Sequence, residues 1–193
     1  EREIELGRGL SLDININSET GQIESNRRNG VANTHILTHG DHLVALEEGS
    51  HPFSMDPQTL VSEGYGHYAD GIKGAMTAHP KIDPETGELH GFGYMTDHFG
   101  SNTMTYHVID RDGRMLRSDV FEAPYAAMVH DFMITRDYVI FPLFPLTCDL
   151  DRVAQFGFPF AFDRSAGAYI GVLKRGAQVS SIRWLEAPVC YVF

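Results

Sequence analysis

The stretch LHGFGYMTDHFGSNTMTYHVIDRDG, from Leu89 to Gly113, decides the fold class. It contains two alternating or largely apolar runs, Leu89–Met95 and Thr103–Ile109, which are typical of β-strands. The closing Asp110–Gly113 stretch superficially resembles a calcium loop but lacks the later ligands. We therefore predict a tight reversal there, because glycine accepts the positive φ that such turns require.

The same pattern extends along the chain in both directions. Further strands are predicted at Val31–Thr38, His42–Glu47, Met128–Thr135, Tyr138–Phe144, Ala168–Leu173 and Val189–Phe193. Turn signals separate these runs at Asp56–Thr59 and Asp83–Gly87, two versions of one turn, and at Asp163–Gly167. A single helical turn is predicted at Asp149–Phe156, with Asp149 as its N-cap. Short strands with regular turns indicate an all-β sandwich, barrel or propeller, and no repeat is strong enough to choose among them.

Charge and apolar pattern exclude two classes of partner. With 26 acidic and 15 basic residues, the net charge of −11 would repel nucleic acid and anionic membrane surfaces. The longest apolar run, Tyr138–Leu146, contains two prolines and is far shorter than a membrane-spanning helix. The two cysteines, Cys148 and Cys190, form neither a zinc motif nor a disulfide framework. These features predict a soluble, cytoplasmic protein.

The ten histidines are the residues most able to carry chemistry. His35, His39 and His42 are close in sequence, but strand alternation is expected to direct them to different faces. A structural role is predicted for five others, which have no partner at ligand spacing: His51, His67, His90, His98 and His107. The motifs GxSxG, HExxH and the P-loop are absent, which removes the commonest signatures of hydrolases, zincins and nucleotide-binding proteins.

Two histidines differ from the rest by their context. His79 lies in Ala78–Lys81, just before a turn, and His130 lies inside the apolar run Met128–Thr135, which is predicted to be a strand. Imidazole is a good ligand for Fe(II), and all-nitrogen ligation leaves the charge of the ion to carboxylates that bond the ligands. From pattern alone, iron ligation and a satisfied core histidine both remain open.

Five segments, in order along the chain, carry a resemblance to a known family. They are Ala32–Thr34, Ala45–Gly49, Met55–Leu60, Thr77–Glu88 and Met128–Thr135. In these segments the chain resembles the carotenoid cleavage oxygenases, including the stilbene-cleaving branch. The resemblance runs from about Gly30 to Phe193, and residues 1–29 are left unassigned.

The resemblance implies a fold and a metal site. The family fold is a seven-bladed β-propeller with Fe(II) held on its axis by four histidines, three of which bond glutamates. By motif position, His79 and His130 match the first two ligands and Glu48 matches the first glutamate. Thr34 matches a threonine near the open coordination site, where it shapes access for O2.

Two features depart from the family pattern. The chain begins without Met and ends at Phe193, within a strand-like run. We therefore expect residues 30–193 to be a partial propeller that lacks the C-terminal part, including the third and fourth ligands. Glu47 stands where the stilbene-cleaving branch usually has a lysine that meets the substrate phenol. A carboxylate there would repel a phenolate, which disfavours a 4-hydroxystilbene substrate.

The expected function is that of an Fe(II)-dependent dioxygenase, acting on a small apolar or aromatic alkene. The enzyme would cleave a conjugated C=C bond of an apocarotenoid or stilbene-like substrate with O2 and give two carbonyl products. An alternative is a truncated, non-catalytic propeller fragment that binds an apolar ligand or a partner. A third possibility is a family member that isomerises its substrate rather than cleaving it.

Overall fold

The computed structural model describes the backbone of residues 14–16 and 23–25, together with residues 30–65, 68, 71–152 and 158–189. The regular structure in these parts of the chain is almost entirely β-strand, and every described strand pair is antiparallel. The predicted all-β class is confirmed. In the described residues, no helix has the length and apolar character needed to cross a membrane.

The described strands fall into five sheets. They are β1 (Ile14–Ile16), β2 (Ile23–Ser25), β3 (His35–His39), β4 (His42–Leu46), β5 (Phe53–Met55), β6 (Ser62–Gly64), β7 (Lys81–Ile82), β8 (Leu89–Tyr94), β9 (Thr103–Ile109), β10 (Met115–Glu122), β11 (Met133–Ile134), β12 (Tyr138–Leu143), β13 (Leu146–Cys148), β14 (Phe160–Phe162), β15 (Ala168–Lys174) and β16 (Arg183–Ala187). Two short 3-10 helices, Arg164–Ala166 and Val179–Ser181, flank β15.

Three of the sheets have four strands each and follow one another along the chain. The first sheet has the order β3-β4-β5-β6, the second β10-β9-β8-β7, and the third β11-β12-β15-β16. The hairpin β13–β14 is inserted between β12 and β15, and β1–β2 is a separate hairpin. Successive four-stranded antiparallel sheets are the units from which β-propellers are built.

Two apolar clusters join the three sheets. The first and second sheets meet through Val44, Leu46, Leu89 and Ile109, with residues of the segment between the sheets packed against them. The second and third sheets meet through a larger cluster that is rich in aromatic side chains. It includes Phe92, Tyr106, Phe121, Phe132, Val139, Phe141, Leu143 and Leu173. The sheets therefore pack in sequence, each against the next.

Strand predictions succeeded best for the inner strands of the three four-stranded sheets. The run Thr103–Ile109 is β9 itself, while β4, β8, β12 and β15 differ from the predicted runs by one residue at an end. Several short or edge strands escaped prediction, among them β5, β6, β7, β13, β14 and β16. The short strands have too few residues to establish a period of two. The eight-residue edge strand β10 was also missed, because its sequence MLRSDVFE does not alternate between apolar and polar residues. Val189 lies outside any strand, and residues 190–193 lie outside the described part of the chain.

Two predicted strands were wrong over part of their length. Strand β3 begins only at His35, because Ala32 has a φ of +45° that strands do not adopt. In Met128–Thr135 only Met133 and Ile134 form a strand. The prediction that His130 lies inside a strand was therefore wrong. There the Asp131 carboxylate accepts the Phe132 N–H at 2.7 Å, a local bond that competes with strand pairing.

The predicted helical turn is present at its start. The Asp149 carboxylate accepts the Asp151 N–H at 3.0 Å, as an N-cap does, and Asp151 and Arg152 are helical. Residues 153–157 lie outside the described part.

The turns at Asp56 and Asp83 have the same construction, as predicted. In each, the aspartate carboxylate accepts the N–H groups two and three residues later, at 2.7 to 3.3 Å. The fifth residue donates its N–H to the aspartate carbonyl and has a positive φ, +74° at Gly87 and +58° at Leu60. Leu60 therefore occupies a conformation that suits glycine.

Arg175 connects the second and third sheets by charge. It follows β15 and forms ion pairs with Asp83 at 2.5 Å and Glu88 at 3.3 Å. The same guanidinium donates to His90 Nε2 at 3.1 Å. Because Arg175 and Asp83 are both largely buried, this group acts as a second link between sheets that already share an apolar cluster.

Candidate metal centre

Three of the predicted site residues occupy corresponding places in successive sheets. Thr34 immediately precedes the first strand of the first sheet, β3. His79 and His130 lie shortly before the first strands of the second and third sheets, β7 and β11. Glu48 follows β4 in the first sheet. Residues far apart in sequence thus share one position relative to the first strands of their sheets.

The structure brings the two predicted histidine ligands into direct contact. His79 Nε2 and His130 Nε2 are 3.0 Å apart, and their ring planes are inclined at 67°. Two imidazole nitrogens that share one metal ion at about 2.1 Å, in adjacent positions at a right angle, would also be about 3.0 Å apart. The spacing therefore fits two ligands of one ion as well as a hydrogen bond.

Glu48 orients the second histidine. The His130 Nδ1–H donates to Glu48 Oε2 at 3.0 Å across 82 residues of sequence. A carboxylate on Nδ1 fixes the tautomer, because it leaves the lone pair on Nε2, the nitrogen that faces His79. This is the arrangement that metal-binding histidines commonly have, and the role of Glu48 beside a metal stays a prediction.

Burial and the contacts within the site shift two pKa values. Burial raises the pKa of the Glu48 carboxyl, and the nearby His130 opposes this rise. Burial lowers the pKa of His79, and the proximity of His130 lowers it further. Both effects on His79 favour the neutral imidazole, which is the form that binds a metal.

Tyr94 completes the chain of hydrogen bonds and was not predicted as a site residue. Its hydroxyl donates to Glu48 Oε1 at 3.3 Å, on the side of the carboxylate opposite His130. Burial, together with the nearby Glu48, raises the pKa of the Tyr94 phenol well above its usual value, so it remains a donor. Tyr94 ends strand β8 like any other partly buried residue, and no sequence signal distinguishes it.

The described hydrogen bonds of Thr34 and Glu47 are to residues in or next to the first sheet and its turn. The Thr34 N–H donates to the Leu46 carbonyl at 3.0 Å, which places Thr34 next to the residues leading to Glu48. No described hydrogen bond joins Thr34 to His79 or His130. The Glu47 carboxylate accepts the Gly49 N–H at 2.8 Å, so it is held in its own turn.

The remaining described histidines have other partners. His35 Nδ1 bonds the Ala78 carbonyl at 2.8 Å, His39 Nδ1 bonds the Tyr68 hydroxyl at 2.9 Å, and His42 Nδ1 bonds Glu63 at 2.6 Å. These three histidines therefore do not form a shared metal-binding cluster, although they are close in sequence. His90 and His107 are buried and His98 is paired with Asp97, while His67 lies outside the described residues.

The donor set suits Fe(II) but is incomplete for a stable site. Two imidazoles, one of them oriented by a carboxylate, are appropriate ligands for this ion. Across the described parts of the chain, no group of three or more His, Cys, Asp or Glu side chains is arranged to hold a metal. The described residues therefore bring together two imidazoles, where the resemblance implies four.

Comparison with known proteins identifies relatives over nearly the whole chain. The family model described as "Retinal pigment epithelial membrane protein" matches residues 3–193, which includes most of the unassigned segment 1–29. Isoeugenol monooxygenase of Pseudomonas nitroreducens is 41% identical over 84% of this chain and 34% of its own length. Carotenoid cleavage oxygenase 1 of Neurospora crassa is 41% identical over 97% of this chain and 36% of its own length. The chain thus spans about a third of these relatives.

Solved structures agree with the described fold. The lignostilbene dioxygenase of Pseudomonas brassicacearum has a TM-score of 0.81 and 36% identity, over 97% of this chain and 39% of its own. Cobalt-substituted ACO of Synechocystis has a TM-score of 0.76 and 27% identity, over 100% of this chain and 43% of its own.

Proposed function

Since the chain belongs to the retinal pigment epithelial membrane protein family, which includes the carotenoid cleavage oxygenases, we propose that it is part of an Fe(II)-dependent oxygenase. The single observation that supports this best is the pair of His79 and His130, with Nε2 atoms 3.0 Å apart and Glu48 on the second ring. We propose these histidines as two iron ligands and Glu48 as the residue that orients one of them.

The proposed fold of the whole protein is a closed propeller around the metal. Residues 30–193 would supply the first, second and third sheets as successive blades. Thr34, His79 and His130 would then face the axis from the same end, because each precedes the first strand of its sheet. The two further histidines that the resemblance implies would come from sequence outside this chain.

The proposed reaction is oxidative cleavage of a conjugated C=C bond in an apocarotenoid or stilbene-like alkene. The C=C and O=O bonds break and two C=O bonds form, so one alkene and one O2 give two carbonyl products. Bound Fe(II) would supply the activation of O2. Glu48 holds the His130 tautomer, and Thr34 would limit access beside the histidine pair. Two relatives are named for isoeugenol and lignostilbene, which favours an aryl alkene.

The metal proposal is tested by the iron content of the full-length protein after anaerobic loading with Fe(II). We expect stoichiometric iron in the wild type and a large loss in both His79→Ala and His130→Ala. His98→Ala is the matched control, because His98 is exposed and its ring pairs with the exposed Asp97, and this variant should retain its iron. Equal iron content in all four proteins would refute the assignment.

The reaction is tested separately by product analysis of the iron-loaded protein under ¹⁸O2. Two carbonyl products, each carrying label, are expected from cleavage by a dioxygenase. Label in only one product would indicate a monooxygenase, the class named in the isoeugenol relatives. An unlabelled product of unchanged mass would indicate isomerisation.

A second candidate function rests on the incomplete ligand set among the described residues. In this case the chain is a non-catalytic propeller piece that binds an apolar ligand or partner. Stoichiometric binding of an aryl alkene that persists after chelation of iron would support it. Strict dependence of that binding on iron would exclude it.

A further inference from the structure

The two proposed ligands are supported unequally. His130 has a carboxylate on its Nδ1, whereas the structure describes no carboxylate hydrogen-bonded to the ring of His79. The described bonds of His79 are the contact of its Nε2 with His130 and a bond from its backbone N–H to Thr77 Oγ1 at 3.0 Å. A metal-binding imidazole normally needs an outer partner to hold its ring orientation. A different device is therefore required at His79.

His35 makes two contacts of the required kind. Its ring stacks on that of His79, with centroids 6.1 Å apart and planes inclined at 30°. Its Nδ1 lies 2.8 Å from the carbonyl oxygen of Ala78, the residue that precedes His79. The first contact limits rotation of the His79 ring, and the second fixes the backbone from which that ring projects.

The tautomer of His35 follows from its partner. A backbone carbonyl only accepts, so His35 Nδ1 carries a hydrogen and donates it to Ala78. Ala78 is completely buried, so loss of the His35 donor would leave the Ala78 carbonyl oxygen without its hydrogen-bond partner. His35 belongs to no described group of three metal-binding side chains, which argues against a role as a third ligand.

We propose that His35 is a positioning residue for His79, in the role that Glu48 has for His130. The inference rests on the proposed metal site and adds a residue to it. His35 begins β3 in the first sheet, while His79 precedes β7 in the second. The contact therefore ties the orientation of the first ligand to the docking of two sheets.

The test uses Co(II) as a spectroscopic probe in the full-length protein, with affinity and the visible absorption spectrum as readouts. We expect His35→Ala to weaken Co(II) binding about 10-fold and to change the spectrum, since loss of an outer partner has effects of this size. His35→Asn should recover much of the affinity, because the Asn amide can donate to Ala78 as Nδ1 does. His35→Phe keeps a ring but loses the donor, and it should lie between Asn and Ala.

His42→Ala is the matched control, because His42 lies in the same sheet and pairs with Glu63 away from the site. It should bind Co(II) like the wild type. Thermal unfolding of each apo-protein separates misfolding from local effects, and the comparison of Asn with Phe remains informative if the alanine variant is unstable.

Two outcomes would overturn the inference, and they are distinguishable. If His79→Ala abolishes Co(II) binding while all three His35 variants keep the wild-type affinity and spectrum, His35 has no positioning role. If His79→Ala and His130→Ala both bind Co(II) normally, the proposed metal site is wrong, and the role of His35 is wrong with it.

Discussion

At the scale of single residues, the candidate site is a line of hydrogen bonds. Tyr94 donates to one oxygen of Glu48, His130 donates to the other, and the far nitrogen of His130 meets His79. Each bond restricts the next group in the line. A residue without a proposed metal contact can therefore alter the properties of the histidine pair.

Substitution of Tyr94 tests this transmission. In Tyr94→Phe, Glu48 loses one donor, so we expect the carboxylate to be held less firmly and the affinity for Fe(II) to fall about 3- to 10-fold. The measurement is an anaerobic Fe(II) titration of the full-length protein. Tyr125→Phe is the control, since Tyr125 donates to the Gly167 carbonyl and not to Glu48. An equal effect of both substitutions would contradict a specific role for Tyr94.

Buried histidines outside the site predict the response of stability to pH. Burial lowers the pKa of His107 to about 4, against about 6.5 in the unfolded chain. Between these values the unfolded state binds more protons, so the free energy of unfolding falls as the pH drops from 6.5 to 4. The loss is about 3 kcal/mol for this residue and is complete near pH 4. Below pH 4 the folded state also binds the proton, so this contribution levels off.

Urea unfolding at several pH values between 7 and 4 checks the expected slope. His90, whose pKa burial also lowers to about 4, contributes in the same direction. His107→Gln keeps a donor for the Ala75 carbonyl and cannot titrate, so its slope should be smaller by about one proton. An unchanged slope in this variant would exclude His107 as a source of the effect.

The candidate site was only partly predictable from sequence. His79, His130 and Glu48 were identified because they lie in motifs that resemble a family, and the structure places these three side chains together. Tyr94 and the contact of His35 with His79 could not be predicted in the same way. Their roles depend on how separate sheets pack, and a single sequence contains no period or motif that reports it.

At the scale of elements, the paired turns show how one design tolerates different residues. Both turns use an aspartate to accept two N–H groups, but one has Gly87 at the position of positive φ and the other has Leu60. A left-handed conformation costs a residue with a Cβ about 1–2 kcal/mol. The Leu60 side chain is 62% exposed, so burial offsets little of this cost.

Leu60→Gly should therefore stabilise the protein. We expect the free energy of unfolding to rise by about 0.5–1 kcal/mol, after allowance for the greater freedom of glycine in the unfolded chain. The reciprocal change, Gly87→Ala, should lower it by about 1 kcal/mol, since an added Cβ would meet the Arg111 side chain at 3.0 Å and have an unfavourable φ. Thermal or urea unfolding measures both, and destabilisation by Leu60→Gly would refute the interpretation of the turn.

Strand predictions succeeded where apolar alternation extends over six or seven residues, as in β8 and β9. The prediction failed over most of Met128–Thr135, where a polar side chain hydrogen-bonds to the backbone. At His130 the Asp131 carboxylate bonds the next N–H, and the chain leaves the ladder although its residues are mostly apolar. In the segment that contains the candidate ligand His130, the hydrophobic pattern therefore did not predict the local backbone structure.

At the scale of the whole molecule, the arrangement of the sheets depends on apolar contact supported by one charged link. Arg175 from the third sheet enters between Asp83 and Glu88 of the second. The Arg175 and Asp83 side chains are only 17% and 9% exposed, so removal of the cation would leave a poorly solvated carboxylate.

Arg175→Met should lower the free energy of unfolding by about 2–3 kcal/mol, because an acidic pair would remain largely buried without its cation. Arg136→Met is the control, since Arg136 and its partner Asp137 are both exposed, and a change below about 0.5 kcal/mol is expected. Equal effects in urea unfolding would show that Arg175 adds little beyond the apolar cluster.

The separation of the site residues along the chain has a consequence for folding kinetics. His130 meets His79 across 51 residues and Glu48 across 82, whereas hairpins such as β3–β4 join through short turns. Contacts between distant residues form late, because long loops must close before such contacts can stabilise the chain. The hairpins can therefore form before the two imidazoles meet, and a metal ion would find its ligands together only after three sheets have docked. The metal ion would therefore bind after the sheets have folded and docked, and it would not act as the nucleus for their folding.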